Sequence, residues 1–110
     1  MSLICVPISV EAAGEVPLAL ERAARARVLG ARMVEWRCDG LASDADAEAA
    51  IARLVREAAL PSIVTIRSAE EGGTCALAEN ARLALLARIA RAEHAPKMID
   101  VEFAAMAPDL

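Results

Sequence analysis

The stretch Val34–Gly40, VEWRCDG, places charged residues inside a short run that otherwise has the composition of a buried β-strand. Side chains alternate between the two faces of a strand, so Glu35 and Arg37 are predicted to share one face. Val34 and Trp36 are predicted to share the other face. Burying a charge costs several kcal/mol unless the charge forms an ion pair or binds a ligand. The charged face is therefore expected to form ion pairs or to contact a ligand.

Three further runs are similar to this one and alternate with long alanine-rich segments. All four runs are short and rich in Val, Ile or Met, as buried parallel strands are. Alternating strands and helices imply right-handed crossover connections and a parallel sheet. The strands are predicted at Leu3–Ile8, Arg32–Arg37, Ser62–Arg67 and Lys97–Glu102.

Three helices are predicted between these strands. The first spans Leu18–Leu29, and Gly30 suits the position just beyond a helix end. The second follows a candidate N-cap at Ser43 and ends before Pro61. The third spans about Ala76–Ala92. Two architectures fit this order: an open doubly wound sheet, or the first half of a (β/α)8 barrel, which normally needs about 250 residues.

The composition excludes several classes of function. The chain has 110 residues, of which 57% are hydrophobic and 25% charged, and this is typical of one globular domain. A net charge of −4 and the scarcity of aromatic residues argue against a nucleic-acid surface. No membrane span or signal peptide is predicted. The three widely spaced cysteines match neither a disulfide framework nor a metal motif, so free thiols in the cytoplasm are expected.

Polar and ionisable residues recur near the carboxyl ends of three predicted strands. Ligand sites lie at these ends in parallel α/β folds, whether open or closed. A site is favoured because charged groups cluster at functional sites, and the alternatives are solvated strand ends or a buried ion-pair network. The pairs that share a strand face are Glu35 with Arg37, Thr65 with Arg67, and Asp100 with Glu102.

The segment after the third strand, Ser68–Cys75 (SAEEGGTC), contains a glycine pair. Paired glycines let a backbone bend and approach a ligand closely. The segment matches neither common phosphate-loop pattern. A turn that leads into a helix capped by Thr74 and a ligand-binding loop are both open interpretations.

Taken together, VEWRCDG, PSIVTIRSAEEGG and MIDVE resemble, in this order and spacing, the N-terminal half of type I 3-dehydroquinate dehydratases. The opening ICVPI fits the first strand of that family. The resemblance implies a single partial (β/α)8 barrel domain over residues 1–110. It also implies a lyase of the shikimate pathway, which forms 3-dehydroshikimate through a lysine Schiff base without a metal or cofactor.

The resemblance also implies roles for individual residues. The family's E-x-R substrate contacts fall on Glu35 and Arg37, with Trp36 between them in the substrate-binding motif. The arginine that binds substrate after the third strand falls on Arg67. Glu71 matches the glutamate that orients the catalytic histidine. The acids that line the barrel interior fall on Asp100 and Glu102.

The chain departs from the family pattern in one respect. The family's Schiff-base lysine and its histidine belong to the second half of the barrel. The only lysine and the only histidine here, Lys97 and His94, are at the entry to the fourth strand and are expected at the opposite end of that strand from the charged strand ends. The chain alone is therefore predicted to be inactive.

Two other hypotheses stay open. One is a non-catalytic half barrel that binds a ligand, and its expected partner is a second copy or a chain with the C-terminal half. The other is a small open α/β domain of unrelated function.

Overall fold

The computed structural model describes residues 4–92 and 95–100, which form a parallel α/β fold. Four strands lie in sequential order in one sheet, and each pairs with its neighbour in the parallel sense. The predicted fold class, α/β with a parallel sheet, is therefore confirmed. The strands are β1 (Cys5–Ser9), β2 (Met33–Arg37), β3 (Ser62–Thr65) and β4 (Met98–Asp100).

Three helices connect the strands, as predicted. They are α1 (Val16–Val28), α2 (Ala47–Glu57) and α3 (Glu79–Arg91). Gly30 follows α1 with a φ of 108°, which agrees with its predicted place just beyond the helix end. Each of the first three strands is followed by one turn of 3-10 helix, at Ala13–Glu15, Leu41–Ser43 and Ala69–Glu71.

The predicted N-caps of α2 and α3 were wrong. Ser43 ends a 3-10 turn, and α2 begins at Ala47 after Asp46, whose side chain makes no capping bond. The α3 helix begins at Glu79, so Thr74 lies well before it. In both places the chain makes the 3-10 turn and then a further connection, residues 44–46 or 72–78, before the helix begins.

The connection before α2 is fixed by the carboxylate of Asp44. Its two oxygens accept the backbone N–H groups of Asp46, at 2.9 Å, and of Ala13, at 3.0 Å. These hydrogen bonds lower the pKa of Asp44, because they favour the charged carboxylate. The contact joins the segments that follow β1 and β2.

The helices cover one face of the sheet, and no element of the described part of the chain covers the other. The covered face contributes Val34, Trp36, Val64 and Ile66 to a single core, which also contains apolar residues of all three helices. The α2 helix packs against both α1 and α3. We call the other side the open face; its exposed or half-buried residues are Cys5, Pro7, Ser9, Met33, Glu35, Arg37 and Ile63.

The alternation in β2 agrees with the prediction from the sequence. Val34 and Trp36 are fully buried on the covered face, whereas Glu35 and Arg37 are half-buried on the open face. The indole N–H of Trp36 donates to Ser62 Oγ at 2.9 Å, and this bond ties β2 to β3 from beneath the helices. Among the described residues, no helix is long and apolar enough to cross a membrane.

Candidate active site

The strand register brings the carboxyl ends of the four strands to one edge of the sheet. Arg37 lies beside Ser9 of β1 and Thr65 of β3, and Thr65 lies beside Asp100 of β4. The next row toward the strand starts contains Glu35 beside Pro7 and Ile63. The charged pair of β2 therefore occupies the middle of the open face. Glu102 and His94 lie outside the described residues.

Arg37 is the central cation of this edge. Its Nε lies 3.9 Å from Glu35 Oε2, and its Nη2 lies 3.6 Å from Asp39 Oδ2. The Nε atom is shielded from solvent and has no hydrogen-bond partner within residues 4–92 and 95–100. A buried donor without a partner is costly. Arg37 thus has two carboxylates near its guanidinium group but leaves one buried donor unsatisfied among the described residues.

Asp39 joins the ends of β2 and β3. Its side chain is mostly buried, and its Oδ1 accepts the backbone N–H of Arg67 at 2.7 Å. Its other oxygen faces Arg37. Asp39 was not among the predicted site residues, although it belongs to the VEWRCDG stretch that carries part of the family resemblance. The structure makes it the link between two arginines that the sequence did single out.

Arg67 and Glu71 are both exposed and belong to the segment after β3. Within that segment the Gly73 N–H donates to the Ser68 carbonyl oxygen at 2.8 Å. A Cβ atom on Gly73 would collide with the carbonyl oxygen of Arg67. The glycine thus lets the loop fold back onto the backbone of Arg67, which is the close approach that a glycine pair permits.

A second arginine near this segment was missed by the sequence analysis. Arg82 of α3 is fully buried, with 1% of its surface exposed. Its Nη1 donates to the Ile66 carbonyl oxygen at 2.9 Å, and its Nη2 lies 3.6 Å from Glu79 Oε1. A signal was available, because Arg82 precedes Leu85 and Leu86 by three and four residues. That spacing places it on the buried face of the helix.

Trp36 does not lie beside the charged residues at the carboxyl ends of the strands. Its side chain is on the covered face, so it is on the opposite side of the sheet from Glu35 and Arg37. We therefore correct its assignment from a substrate contact to a core residue that anchors β2. Alternation along the strand is the physical reason.

Lys97 lies at the opposite end of the strands from this edge. It is exposed, and its backbone N–H donates to the carbonyl oxygen of Ser62, the first residue of β3. The same strand ends at Thr65, and Arg67 lies two residues beyond that end. The expected separation between Lys97 and the charged strand ends is thus present in the geometry.

The thiols near the site differ in their exposure. Cys5 is exposed on the open face, whereas Cys38 and Cys75 are buried, and all three are free. Partial desolvation and, to a smaller extent, the charge of Glu35 raise the pKa of Cys5. Burial and the charge of Asp39 raise the pKa of Cys38 strongly, so its thiol stays protonated. No three His, Cys, Asp or Glu residues in the described ranges are grouped as a metal site.

A parallel sheet with ionisable residues gathered at the carboxyl ends of its strands is the arrangement of α/β enzymes. The comparison with protein families is more specific, because the model of the type I 3-dehydroquinase family matches residues 4–110. The chain belongs to that family, and the resemblance drawn from its motifs is confirmed.

A curated relative agrees with this assignment. The chain is 37% identical over 107 residues to a 3-dehydroquinate dehydratase of Methanothermobacter thermautotrophicus. The aligned region covers 97% of this chain and 45% of the relative. The chain therefore spans less than half the length of the curated relative that it matches.

Proposed function

We propose that this chain forms the first half of the (β/α)8 barrel of a 3-dehydroquinate dehydratase and supplies its substrate-binding side. The observation that carries the proposal is the Glu35–Arg37–Asp39 group on the open face of a chain that belongs to this family. Sequential strand order with helices on one face supports the barrel. A doubly wound sheet would instead reverse its strand order at a switch point and carry helices on both faces.

The chemistry of the charged edge fits a hydroxylated keto acid. Arginine binds carboxylate and carbonyl oxygens through charge-assisted hydrogen bonds, and glutamate accepts hydrogen bonds from hydroxyl groups. Arg37 and Arg67 are therefore the proposed donors to substrate oxygens, and Glu35 is the proposed acceptor. Asp100 and Glu102 extend the polar lining in this proposal. Trp36 contributes only indirectly, because it fixes β2 from the covered face.

The resemblance implies a covalent route for the reaction, which converts 3-dehydroquinate to 3-dehydroshikimate in the biosynthesis of aromatic amino acids. A lysine amine condenses with the substrate ketone and releases water, and the imine then accepts electrons while a proton and a hydroxyl group leave as water. Hydrolysis of the imine restores the lysine. We propose that this lysine belongs to the second half of the barrel, together with a histidine that Glu71 orients.

Turnover of 3-dehydroquinate tests the proposal. The 110-residue chain would be assayed alone and after mixing with the remaining segment of the Methanothermobacter relative. We expect no turnover by either part alone and measurable turnover by the mixture. Arg37→Met should abolish the activity of the mixture, whereas Arg91→Met, at an exposed position of α3, should preserve it. Turnover by the chain alone would contradict the proposal.

A non-catalytic half barrel is the second candidate. The open face of the sheet and the unpaired edges of β1 and β4 in the described part of the chain favour it, since such edges invite pairing. The partner would be a second copy of this chain or a chain with the C-terminal half. Sedimentation velocity separates the cases: a well-folded monomer at high concentration would argue against self-assembly.

A further inference from the structure

The peptide group between Ile66 and Arg67 is held from both sides by charged side chains. Its carbonyl oxygen accepts a hydrogen bond from Arg82 Nη1 at 2.9 Å. Its N–H group donates to Asp39 Oδ1 at 2.7 Å. We call this arrangement the peptide clamp. Hydrogen bonds to ionised groups are stronger than those between neutral groups, so the clamp fixes the plane of this peptide firmly.

The clamp acts where the β-sheet ladder has already ended. The β3 strand ends at Thr65, whose carbonyl oxygen accepts the N–H of Cys38 at 2.8 Å. The next peptide lies beyond the strand, and its polar groups need partners because buried backbone groups are seldom left unpaired. Side chains from β2's extension and from α3 provide those partners.

Arg82, the clamp residue from α3, occupies a core position where an apolar side chain is usual. Arg82 is as buried as the apolar residues beside it, and a buried arginine carries a large desolvation cost unless its donors are used. Its guanidinium group binds a carbonyl oxygen directly before Arg67 and pairs with Glu79. A core position filled by a leucine would pack well but could not hold this carbonyl group.

The clamp also connects the two arginines assigned to substrate. Asp39 holds the backbone of Arg67 with Oδ1 and faces the guanidinium group of Arg37 with Oδ2 at 3.6 Å. A rotation of the clamped peptide would redirect the Cα–Cβ bond of Arg67 and change the pairing of Arg37. One carboxylate thereby sets the relative placement of two cations on neighbouring strands.

We propose that Arg82 and Asp39 are positioning residues that orient Arg67, and through Asp39 also Arg37, for the bound carboxylate substrate. This inference rests on the proposed function, since it assigns the clamp to the same site. Neither residue is placed against the substrate itself. The role of Arg82 is to bind the carbonyl oxygen of the Ile66–Arg67 peptide from the side of α3.

Amide hydrogen exchange, followed by NMR in the 110-residue chain, tests the clamp directly. The test variant is Arg82→Met, which keeps an apolar side chain and removes the donors. Arg91→Met makes the same change at an exposed position of the same helix and is the control. We expect the protection of the Arg67 amide to fall about tenfold or more in Arg82→Met, while the Cys38 amide keeps its protection. Arg82→Lys, which retains a charged donor, should restore part of the loss.

Titration with 3-dehydroquinate adds the functional readout. In the mixture of the chain with the remaining segment of the Methanothermobacter relative, the KM for 3-dehydroquinate should rise about tenfold in Arg82→Met and stay unchanged in Arg91→Met. If Arg82→Met does not fold, Asp39→Asn tests the clamp from its other side and should lower the protection of the same amide.

Two outcomes would overturn the clamp: unchanged protection of Arg67 in these variants, or an equal loss at Arg67 and Cys38, which would indicate global destabilisation. Absence of turnover when the unaltered chain is mixed with the remaining segment of the Methanothermobacter relative would count against the proposed function instead. In that case the exchange result would still show whether Arg82 and Asp39 hold the Ile66–Arg67 peptide.

Discussion

Replacement of Ser62 by alanine tests the contact that anchors Trp36 on the covered face of the sheet, opposite Glu35 and Arg37. Trp36 is fully buried, Ser62 is 3% exposed, and the indole N–H donates to Ser62 Oγ at 2.9 Å. Ser62→Ala removes the acceptor and leaves the N–H buried without this partner, which costs about 1–3 kcal/mol in the free energy of unfolding. For a domain of this size, each kcal/mol lowers the melting temperature by about 4–8 °C.

Urea unfolding followed by far-UV circular dichroism measures this loss without relying on the fluorescence of the altered tryptophan site. Ser43→Ala is the matched control, because Ser43 is exposed and does not cap α2. The control should change the free energy of unfolding by less than about 0.5 kcal/mol. In a Trp36→Phe background, which lacks the donor, Ser62→Ala should cost clearly less than in the original chain. Equal losses in Ser62→Ala and Ser43→Ala would show that the Trp36–Ser62 hydrogen bond does not stabilise the fold.

Three further predictions concern the loops and the open face. Gly73→Ala should lower the free energy of unfolding by about 1–3 kcal/mol, because its Cβ would collide with backbone, whereas Gly14→Ala, which has open space, should not; equal urea midpoints would contradict this. Cys5 is the exposed cysteine, so a thiol reagent should label it faster than Cys38 and Cys75. Glu35→Gln should speed the labelling of Cys5, because it removes a charge that raises the pKa of this thiol. An unchanged labelling rate would show that Glu35 and Cys5 do not interact. The lowered pKa of Asp44 means that its contribution to stability is fully present above its ordinary pKa, about 4, and is lost as the pH falls through the lowered value. Asp44→Asn should therefore lose less stability than the original chain when urea unfolding is compared between about pH 5 and pH 3, and parallel pH profiles would contradict the assignment.

The faces of the strands could be predicted from the sequence because they depend on local alternation. Glu35 and Arg37 lie on the open face, and Val34 and Trp36 on the covered face, because successive side chains point to opposite sides of the sheet. The same rule should have removed Trp36 from the list of substrate contacts. There the motif outweighed the geometry, since Trp36 stands between two residues that the family resemblance assigns to substrate.

The contacts that organise the site could not be predicted, because they join residues far apart in sequence. The Asp39–Arg67 hydrogen bond spans 28 residues, and the Arg82–Ile66 bond spans 16. Neither has a local signature. The helix starts were missed for a different reason. Ser43 and Thr74 are suitable capping residues, but Ser43 is the last residue of a 3-10 turn and Thr74 follows one, and each helix begins several residues later.

In the proposed assembly, this chain holds the substrate while the reactive lysine belongs to the second half of the barrel. The most direct test is borohydride reduction of the mixture of the chain with the remaining segment of its Methanothermobacter relative, in the presence of 3-dehydroquinate. Reduction converts an imine into a stable amine, which mass spectrometry of the digested peptides locates. We predict that the adduct maps to a lysine of the added segment and that Lys97 stays unmodified. An adduct on Lys97 would show instead that this chain supplies the reactive lysine.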